Sequence, residues 1–335
     1  MAGSGPAAGS LTRAIQAGLT GTGIPSLTAG VQRLMAAYRS GEIPASPVMA
    51  SRADAAAYAA YRMPATVAAS AAALRAVLLS LPDWRPSSLL DFGAGTGGCA
   101  WAAASELADL RAVTLLEQSA DAIRLGQAIF AGSGSQVLQS ARWRPWRLTS
   151  GEAAALAGQQ ADVATAAYLL GELAAAQQAA LVALAMAAAP AVLLVEPGTP
   201  AGHRRILTAR DQLLAAGYRI AAPCPHELAC PLAVEGDWCH FGARVQRSAV
   251  HRQVKGAELA YEDEKFSYVA AIRATGAVPE LPAGRVVRRP QQRKGLVLLD
   301  LCAADGRSRR ELVSKSQGEP YRRARKTSWG DRWDG

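Results

Sequence analysis

Charged residues and long apolar runs are both scarce in this chain. Asp, Glu, Lys and Arg make up 19% of its 335 residues, whereas 50% are hydrophobic. A sequence this apolar folds around a core, which excludes disorder over most of its length. Without an apolar run of roughly eighteen residues, no transmembrane helix and no membrane partner are expected. The N-terminus lacks a charged segment followed by an apolar one, which argues against a secretory signal.

Lysine is rare as well. Only five of the 36 basic residues are Lys, and all five lie at or after Lys255. The net charge is +9, and the segment from Arg285 to Lys326 alone holds 13 basic and 4 acidic residues, again a net of +9. So basic a segment predicts a polyanionic partner, most simply a nucleic acid. A solvated basic surface is the alternative.

The N-terminal segment is poor in acidic residues. Residues 1–41 contain Arg13, Arg33 and Arg39 and no Asp or Glu. This composition loosely resembles a transit peptide, but it also fits an unstructured bacterial N-terminus, which we favour. We therefore expect a cytoplasmic protein of a bacterium, with a mitochondrial location as the alternative if the source is eukaryotic.

Apolar strand-like runs alternate with helical segments in the middle of the chain. Ser88–Phe92, Ala112–Leu116 and Ala191–Val195 predict strands, and each is followed by a helical pattern. The alternation predicts an α/β fold whose parallel-rich sheet is covered by helices on both faces.

The composition changes twice along the chain. We expect a mobile N-terminus over residues 1–25 within an N-terminal helical region that ends at 85, with one helix broken by Pro44 and Pro47. A Rossmann-like core is expected over 86–222. Cysteines, prolines and histidines then open a third part, 223–335, which predicts a small module with strands and a basic tail.

A glycine-rich loop follows the first predicted strand. Asp91, Gly93, Gly95 and Gly97 form the pattern D-x-G-x-G-x-G before a helix, and Glu117 ends the next strand. Glycines let the backbone approach a ligand, the helix start offers free N–H groups, and a carboxylate at the second strand can accept both ribose hydroxyls of a nucleoside. The pattern resembles the first motif of class I methyltransferases and predicts S-adenosylmethionine as the cofactor.

A dinucleotide is the other cofactor that uses this geometry, because Gly93, Gly95 and Gly98 also fit G-x-G-x-x-G. A vestigial site is a further alternative. Asp91 favours S-adenosylmethionine, since a carboxylate there repels a pyrophosphate but can pair with the methionyl ammonium group.

Catalytic residues are not assigned. Amine methyltransferases often carry an Asn/Asp-Pro-Pro-aromatic motif after the fourth strand, and here that stretch reads Ala166–Glu172 without it. Tyr168 and Glu172 could face the ligand, although a buried tyrosine and a capping glutamate are equally good interpretations. Binding of the cofactor is thus better supported than methyl transfer.

Four of the five cysteines lie in the last third of the chain. Cys224, Cys230 and Cys239 are spaced C-x5-C-x8-C, and Cys302 follows much later. Clustered thiols in a chain without export signals predict a metal site rather than disulfides. The spacing is not the paired C-x2-C of a zinc ribbon, so an iron–sulfur cluster and zinc remain equal alternatives. Cys99 reads as a small buried hydrophobic residue.

Several stretches of the C-terminal part together resemble a known family. They are Pro223–His226, Asp237–Phe241, Tyr261–Tyr268, Asp300–Cys302 and Ala324–Asp331. They resemble the mitochondrial methyltransferase-like family that assists assembly of the small ribosomal subunit, together with its bacterial relatives, over roughly residues 30–333.

The resemblance implies more than the residues show by themselves. It implies a class I methyltransferase fold with an added C-terminal module, and a 4Fe-4S cluster held by the four cysteines, namely Cys224, Cys230, Cys239 and Cys302. It also implies association with small-subunit ribosomal RNA. The sequence does not fix the oligomeric state, and a monomer that acts on a large particle is the default expectation. Zinc stays the alternative metal, and His226 and His240 could each replace one ligand.

Aromatic and basic side chains interleave near the C-terminus and suit contacts with unpaired bases and phosphates. The residues predicted to contact RNA are Arg322, Arg323, Arg325, Lys326 and Trp329. Packing of the tail onto the domain is the alternative for its aromatic residues. The acidic stretch Tyr261–Glu264 is expected either to pair with arginines or to form a solvated turn.

Three functions remain open at this point. The first is methyl transfer from S-adenosylmethionine to RNA, with small-subunit ribosomal RNA as the substrate. The second is a non-catalytic assembly factor that clamps the immature subunit. The third and weakest is a redox sensor that reports oxidation through its clustered thiolates.

Overall fold

The computed structural model describes residues 9–40, 48–149, 156, 158–255, 259–274 and 278–335. The helices in these ranges are α1 (Ser10–Gly18), α2 (Ile24–Ser40), α3 (Arg52–Tyr61), α4 (Met63–Ser80), α5 (Gly98–Glu106), α6 (Ala120–Ala131), α7 (Gln136–Gln139), α8 (Ala175–Ala188), α9 (Pro200–Ala215), α10 (Pro231–Val234), α11 (Ala249–Lys255) and α12 (Glu319–Ala324). The strands are β1 (Ser88–Phe92), β2 (Ala112–Glu117), β3 (Arg142–Pro145), β4 (Val163–Ala167), β5 (Ala191–Pro197), β6 (Tyr218–Ala222), β7 (Phe241–Gln246), β8 (Tyr261–Arg273), β9 (Gly284–Val286), β10 (Gln291–Arg293), β11 (Leu296–Ala303), β12 (Ser308–Ser314) and β13 (Arg332–Trp333).

The main sheet has the strand order β3-β2-β1-β4-β5-β8-β6, and β7 pairs with β8. Strands β1 to β5 pair in parallel, whereas β8 is antiparallel to both β5 and β6. The α/β fold with a parallel-rich sheet is therefore confirmed. Strand β3 was not predicted, because its sequence Arg-Trp-Arg-Pro at the sheet edge has no apolar run.

Helices cover both faces of this sheet. Leu89 of β1 packs in one core with Leu74 of α4 and Trp101 of α5. The next residue, Leu90, packs in a second core with Leu181 of α8 on the opposite face. Successive side chains of a strand point to opposite faces, so the continuous apolar run of β1 supplies both cores.

Helix α4 is long and apolar enough to cross a membrane by length and composition. The expectation that no segment reaches that length is therefore wrong. In the structure 56% of this 18-residue window is buried, where α4 packs against α5, β7 and β8. Helix α4 is therefore packed like a core helix, in contact with protein side chains.

The N-terminal region is helical, as predicted, but more of it is ordered than expected. Mobility was predicted for residues 1–25, yet Ser10–Gly18 forms α1, and its Ala14 and Ile15 side chains are buried. A Cβ atom on Gly18 would lie only 3.0 Å from Ile129 Cγ1 of α6, which explains how closely the two helices pack. The predicted break at Pro44 and Pro47 lies outside the described residues.

The expected boundary at 222 does not divide the structure into core and module. Strand β8 lies within the predicted module, but its second half, from Phe266 onward, inserts between β5 and β6 of the main sheet. Its first half pairs with β7 outside that position. The chain therefore leaves the sheet after β6 and returns to complete it.

A second, smaller sheet contains β9 to β13, ordered β10-β11-β9-β13 with β12 paired to β11. Its core includes Val286, Leu299, Val313 and Trp333. The C-terminal tail, which has no apolar period in sequence, joins this sheet through α12 and β13. The predicted β-containing module thus corresponds to this second sheet.

Candidate functional site

The loop after β1 turns at three glycines. Gly93, Gly95 and Gly97 have φ angles of 61°, 58° and 90°, which are strained for residues with a Cβ atom. A Cβ atom on Gly93 would lie 2.6 Å from Leu169 Cδ2, and one on Gly97 would lie 2.5 Å from Phe130 Cζ. Gly93 and Gly95 line a cavity that opens to solvent.

Glu117 lies on the wall of the same cavity. Its Oε2 accepts a hydrogen bond from the Gly95 N–H at 2.8 Å, and its Oε1 accepts one from the Ser119 N–H at 2.8 Å. An ionised carboxylate has about four acceptor positions, and the Gln118 backbone N–H is a third donor to Glu117, so one position remains for a ligand hydroxyl. The arrangement therefore fixes the glycine loop and can still accept a ribose hydroxyl.

Asp91 lies behind the loop rather than on the cavity wall. Its side chain is 1% exposed, and its Oδ1 accepts a hydrogen bond from Thr165 Oγ1 at 2.7 Å. Burial, reinforced by the charge of Glu117, raises the pKa of Asp91 to about 7. In this position the Asp91 side chain connects β1 to β4, and its contact with a methionyl ammonium group stays a prediction.

The opposite wall of the cavity follows β4. Tyr168 has a φ of 59° and is the one non-glycine residue with a positive φ in the described part of the chain. Such backbone strain persists only where the surroundings hold it, and it recurs at functional sites. Tyr168 and Glu172 both line the cavity, so the stretch without the acceptor motif nevertheless places polar side chains beside the cofactor position.

A buried network holds Tyr168 in place. The Tyr168 hydroxyl donates to Glu264 Oε1 at 2.9 Å. Arg62 binds both oxygens of the same carboxylate, at 3.1 Å from Nη1 to Oε2 and 2.9 Å from Nη2 to Oε1. The Arg62 and Glu264 side chains are only 15% and 14% exposed. Sequence reasoning missed this network, because its members lie about a hundred residues apart and share no local pattern.

The acidic stretch that contains Glu264 pairs with arginines, one of the two predicted alternatives. Glu262 accepts a hydrogen bond from Arg247 Nη2 at 2.7 Å. Asp263 accepts one from Arg244 Nε at 2.6 Å. These ion pairs order the β7–β8 hairpin, and the alternative of a solvated turn is excluded.

Four cysteines from separate elements meet at a second cavity. Cys224 follows β6, Cys230 precedes α10, Cys239 precedes β7 and Cys302 belongs to β11. All four line one cavity between the main sheet and the second sheet. The structure thus brings together all four cysteines that were predicted as metal ligands. Cys99 lies elsewhere, buried in α5 at 2% exposure.

The two histidines of this region occupy different positions. His226 lines the cysteine cavity, and its Nε2 lies 3.3 Å from Cys302 Sγ. His240 stacks on Trp238 with ring centroids 5.3 Å apart, and it meets the Trp329 ring edge-on at 4.9 Å. Of the two candidates for a replacement ligand, only His226 therefore faces the cysteines.

Burial disfavours negative charge on the free thiols. It raises the pKa of Cys224 and Cys239 above the ordinary value and the pKa of Cys302 to about 12. Among the described residues, no three or more His, Cys, Asp or Glu side chains are grouped as ligands of a metal ion. The four thiols line a space, but they do not form a ready-made site for a single ion.

The basic side chains near the C-terminus are exposed, as expected for an RNA contact. Arg322 and Arg323 belong to α12, and Arg325 and Lys326 follow it. Trp329 is only half-buried, but its ring packs on His240 rather than standing free. Trp333 is 4% exposed in the core of the second sheet. For these two aromatic residues the structure favours packing of the tail onto the domain.

The sheet, its antiparallel strand β8 and the glycine loop at the end of β1 define a protein of the class I methyltransferase fold. The chain belongs to the family described as mitochondrial small ribosomal subunit Rsm22, whose profile matches residues 52–334.

Two relatives show how far the likeness extends. The human ribosome assembly protein METTL17, mitochondrial, is 30% identical over 292 residues, which cover 82% of this chain and 61% of that protein. The Rsm22-cox11 tandem protein 2, mitochondrial, of Schizosaccharomyces pombe is 27% identical over 181 residues, which cover 42% of this chain and 24% of that protein. The chain thus spans less than two thirds of either relative.

Among solved structures, fibrillarin of Aeropyrum pernix with natively bound S-adenosyl-L-methionine is 14% identical. The match has a TM-score of 0.37 and covers 63% of this chain and 76% of that one. The fold assignment is therefore based on the strand order and on the family.

Proposed function

We propose that this chain binds S-adenosylmethionine at the glycine loop and acts in the assembly of the small ribosomal subunit, where it methylates ribosomal RNA. Its family and its likeness to a protein named for ribosome assembly support the role in the subunit. The cavity around Gly95 and Glu117 supports the cofactor. The proposal of methyl transfer depends on this cavity, because the glycine loop that would hold the cofactor and the strained Tyr168 line the same space.

The residues present fit S-adenosylmethionine. When bound, the cofactor supplies a methyl group activated by its sulfonium. The glycine loop lets the backbone approach it, and Glu117 keeps an acceptor position for a ribose hydroxyl. Tyr168 and Glu172 form the wall that an acceptor base would meet. Methyl transfer needs the acceptor atom in line with the sulfonium, so the task of these side chains is positioning.

The four cysteines are proposed to hold a 4Fe-4S cluster, with zinc as the alternative. In a cluster each thiolate binds a different iron, so the four sulfurs surround a space. In a zinc site all four sulfurs converge on one ion. Cys224, Cys230, Cys239 and Cys302 line a common cavity, which supports one shared centre, and the choice of a cluster over zinc follows from the family resemblance of this cysteine set.

Metal analysis after anaerobic purification tests this assignment. Iron and acid-labile sulfide in equal amounts, about four of each per chain, are expected in the wild type and are expected to be lost in Cys302→Ser. Cys99→Ser is the matched control, because Cys99 is equally buried but lies in α5. Zinc without sulfide would show that the cysteines hold zinc rather than a cluster. A wild-type chain without metal would refute both the cluster and the zinc site.

The basic C-terminal residues are proposed to contact ribosomal RNA. The Gln292 side chain donates to the Arg325 carbonyl at 2.9 Å, so β10 adjoins the end of α12. The exposed Arg293 and Lys294 therefore share a surface with Arg325 and Lys326. This surface, formed by residues 293–294 and 322–326, is called the basic face below.

The second candidate is a non-catalytic assembly factor that clamps immature small subunits. The missing acceptor motif in Ala166–Glu172 favours it, as does the name of the human relative. Complementation of a deletion strain separates the two functions. If Gly95→Arg restores growth while Cys302→Ser does not, the clamp is correct. If both fail, and labelled methyl groups enter ribosomal RNA only with the wild type, the enzyme is correct.

Location and assembly state are also proposals. Both curated relatives described above carry the word mitochondrial in their names, which favours the mitochondrial alternative over the bacterial cytoplasm. A monomer that binds a large particle is proposed as the working state.

A further inference from the structure

Two arginines are buried in the wall of the cysteine cavity. Arg210 of α9 is 3% exposed, and Arg285 of β9 is 2% exposed. Both line the cavity together with the four cysteines. Arginine is almost never fully buried without an anionic partner, because an unpaired charge loses its hydration. The partners of these two guanidinium groups therefore need to be identified.

Arg285 has no anionic partner in the described part of the chain. Its Nε donates to the Pro223 carbonyl at 2.8 Å, and its Nη1 donates to the Gly330 carbonyl at 3.0 Å. Its Nη2 is buried and lacks any hydrogen-bond partner among the described residues. Two carbonyl oxygens orient this guanidinium group but leave its charge uncompensated.

Arg210 is almost as poorly compensated. Its Nη2 donates to the carbonyl groups of His226 and Leu228, at 3.2 and 2.8 Å. Its one ion pair, with Asp211, is 3.4 Å long, and the Asp211 side chain is 74% exposed. Its buried Nε has no partner among the described residues. Water screens the distant carboxylate, so it offsets little of the charge.

Both guanidinium groups lie beside the sulfurs, because Arg210, Arg285 and the four cysteines line the same cavity. The cavity thus combines four thiols with two buried cations, each of which keeps an N–H group without an acceptor among the described residues. An anionic occupant that the cysteines themselves bind would satisfy both arginines at once.

We infer that Arg210 and Arg285 are the counter-ions of a dianionic metal–thiolate centre held by Cys224, Cys230, Cys239 and Cys302. This inference depends on the metal site proposed above. Four thiolates bring four negative charges, and a zinc ion or an oxidised 4Fe-4S core brings two positive ones. The resulting dianion matches two guanidinium groups. Their unused N–H groups can also donate to sulfur, as hydrogen bonds at such centres do.

The test compares loaded and unloaded full-length protein. Arg285→Met and Arg210→Met remove one charge each, Arg285→Lys keeps the charge, and Arg75→Met is the control for an exposed arginine outside the cavity. Each protein is reconstituted anaerobically with ferrous iron and sulfide, or with zinc alone. The readouts are the melting temperature of both forms and the rate at which a chelator extracts the metal.

The change in melting temperature is expected to have opposite signs in the unloaded and the loaded protein. Without metal, the Met variants should melt at the same or a higher temperature than the wild type, because an uncompensated buried charge is gone. With metal, they should melt lower and release it at least about tenfold faster, because the dianion has lost a counter-ion. Arg285→Lys should restore most of the retention, and Arg75→Met should change neither form.

The other possible outcomes would contradict the inference. If the wild type loads normally and the Met variants retain the metal equally well, the counter-ion role is refuted and the metal site stands. If the Met variants are destabilised by the same amount with and without metal, the arginines only hold backbone carbonyls and the inference fails. The same conclusion follows if neither Met variant folds without metal. If the wild type binds neither iron with sulfide nor zinc, the metal site itself is refuted, and the counter-ion role with it.

Discussion

Glu172 lies on the wall of the glycine-loop cavity, where its side chain is partly buried. Burial raises its pKa to about 8, and the nearby charges of Glu117 and Glu196 add to the effect. At neutral pH this side chain is therefore mostly protonated. Without cofactor, the fold should lose stability as pH rises from about 4.5, the ordinary Glu value, through about 8, because the unfolded chain ionises first.

The first prediction concerns the pH dependence of cofactor binding. S-adenosylmethionine carries a sulfonium, so its affinity should increase as Glu172 ionises with pH rising from about 7 through about 8. Calorimetric titrations across this range measure the change. S-adenosylhomocysteine, which lacks the sulfonium charge, should show a smaller increase. Glu172→Gln should reduce the increase to the part that Asp91 contributes, because burial raises the pKa of Asp91 to about 7, and an unchanged pH profile in that variant would refute the assignment.

The second prediction concerns Gly95, which has a positive φ of 58° and lines the glycine-loop cavity. Gly95→Arg should abolish binding of S-adenosylmethionine and leave the metal content unchanged, because the backbone conformation is strained for a residue with a Cβ atom and the new side chain would occupy the cavity. Gly217→Arg is the matched control. Gly217 also has a positive φ, 79°, but a Cβ atom on it would meet no described atom within 4 Å beyond its chain neighbours. Calorimetry with unchanged affinity in Gly95→Arg would contradict the cofactor site.

At the scale of elements, the Arg62–Glu264–Tyr168 network connects three parts of the chain. Arg62 lies between α3 and α4, Glu264 belongs to the first half of β8, and Tyr168 directly follows β4 at the cavity. The second half of β8 reaches the cysteine cavity, since Ser267 Oγ donates to the Cys239 carbonyl at 2.7 Å. One strand thus contacts the structures around both sites.

The third prediction is that Glu264→Ala destabilises the protein by about 3 kcal/mol, because it leaves a largely buried arginine and a tyrosine hydroxyl without their acceptor. Urea unfolding measures the loss. The control is Glu106→Ala, whose partner Arg75 is 58% exposed and whose ion pair should contribute at most about 1 kcal/mol. Equal losses in the two variants would show that the network has no special role. Affinity for S-adenosylmethionine should fall in Glu264→Ala only.

At the scale of the whole molecule, the two cavities and the basic face are built from different sheets. The main sheet provides the glycine loop, the second sheet provides Cys302, and the tail beyond it provides the basic side chains. The cysteine cavity lies between the two sheets, so a metal centre there would cross-link them. The position of the basic face relative to the main sheet would then depend on that centre.

The fourth prediction concerns binding of a small-subunit ribosomal RNA fragment. Replacing Arg322, Arg325 and Lys326 together by Ala should weaken binding and reduce the slope of log affinity against log salt by about 2, because each phosphate contact contributes about 0.7–0.9. The control replaces Arg75, Arg85 and Arg124, which are also exposed, and so changes the net charge equally. Similar slopes in the two variants would show that the basic face is a solvated surface only.

Much of the fold was predictable because its signals are local. The apolar runs of β1, β2 and β5, and the glycines that need positive φ, are visible in the sequence. The position of β8 was not predictable, because its place between β5 and β6 depends on a chain that leaves the sheet and returns. Helix α1 was missed because it lies within residues 1–25, which are rich in Gly, Ala, Ser and Thr, and because its order depends on packing against α6.

By itself, the sequence determined the α/β class, the glycine loop with Glu117, the basic C-terminal segment and the four cysteines that resemble a metal-binding set. Each of these depends on residue type and short spacing, which the chain carries before it folds. Only the tertiary structure decided that Asp91 lies behind the loop, that Tyr168 is held by Glu264 and Arg62, and that two buried arginines face the cysteines. These relations depend on burial and on contacts between distant segments, which arise only when the sheets pack together.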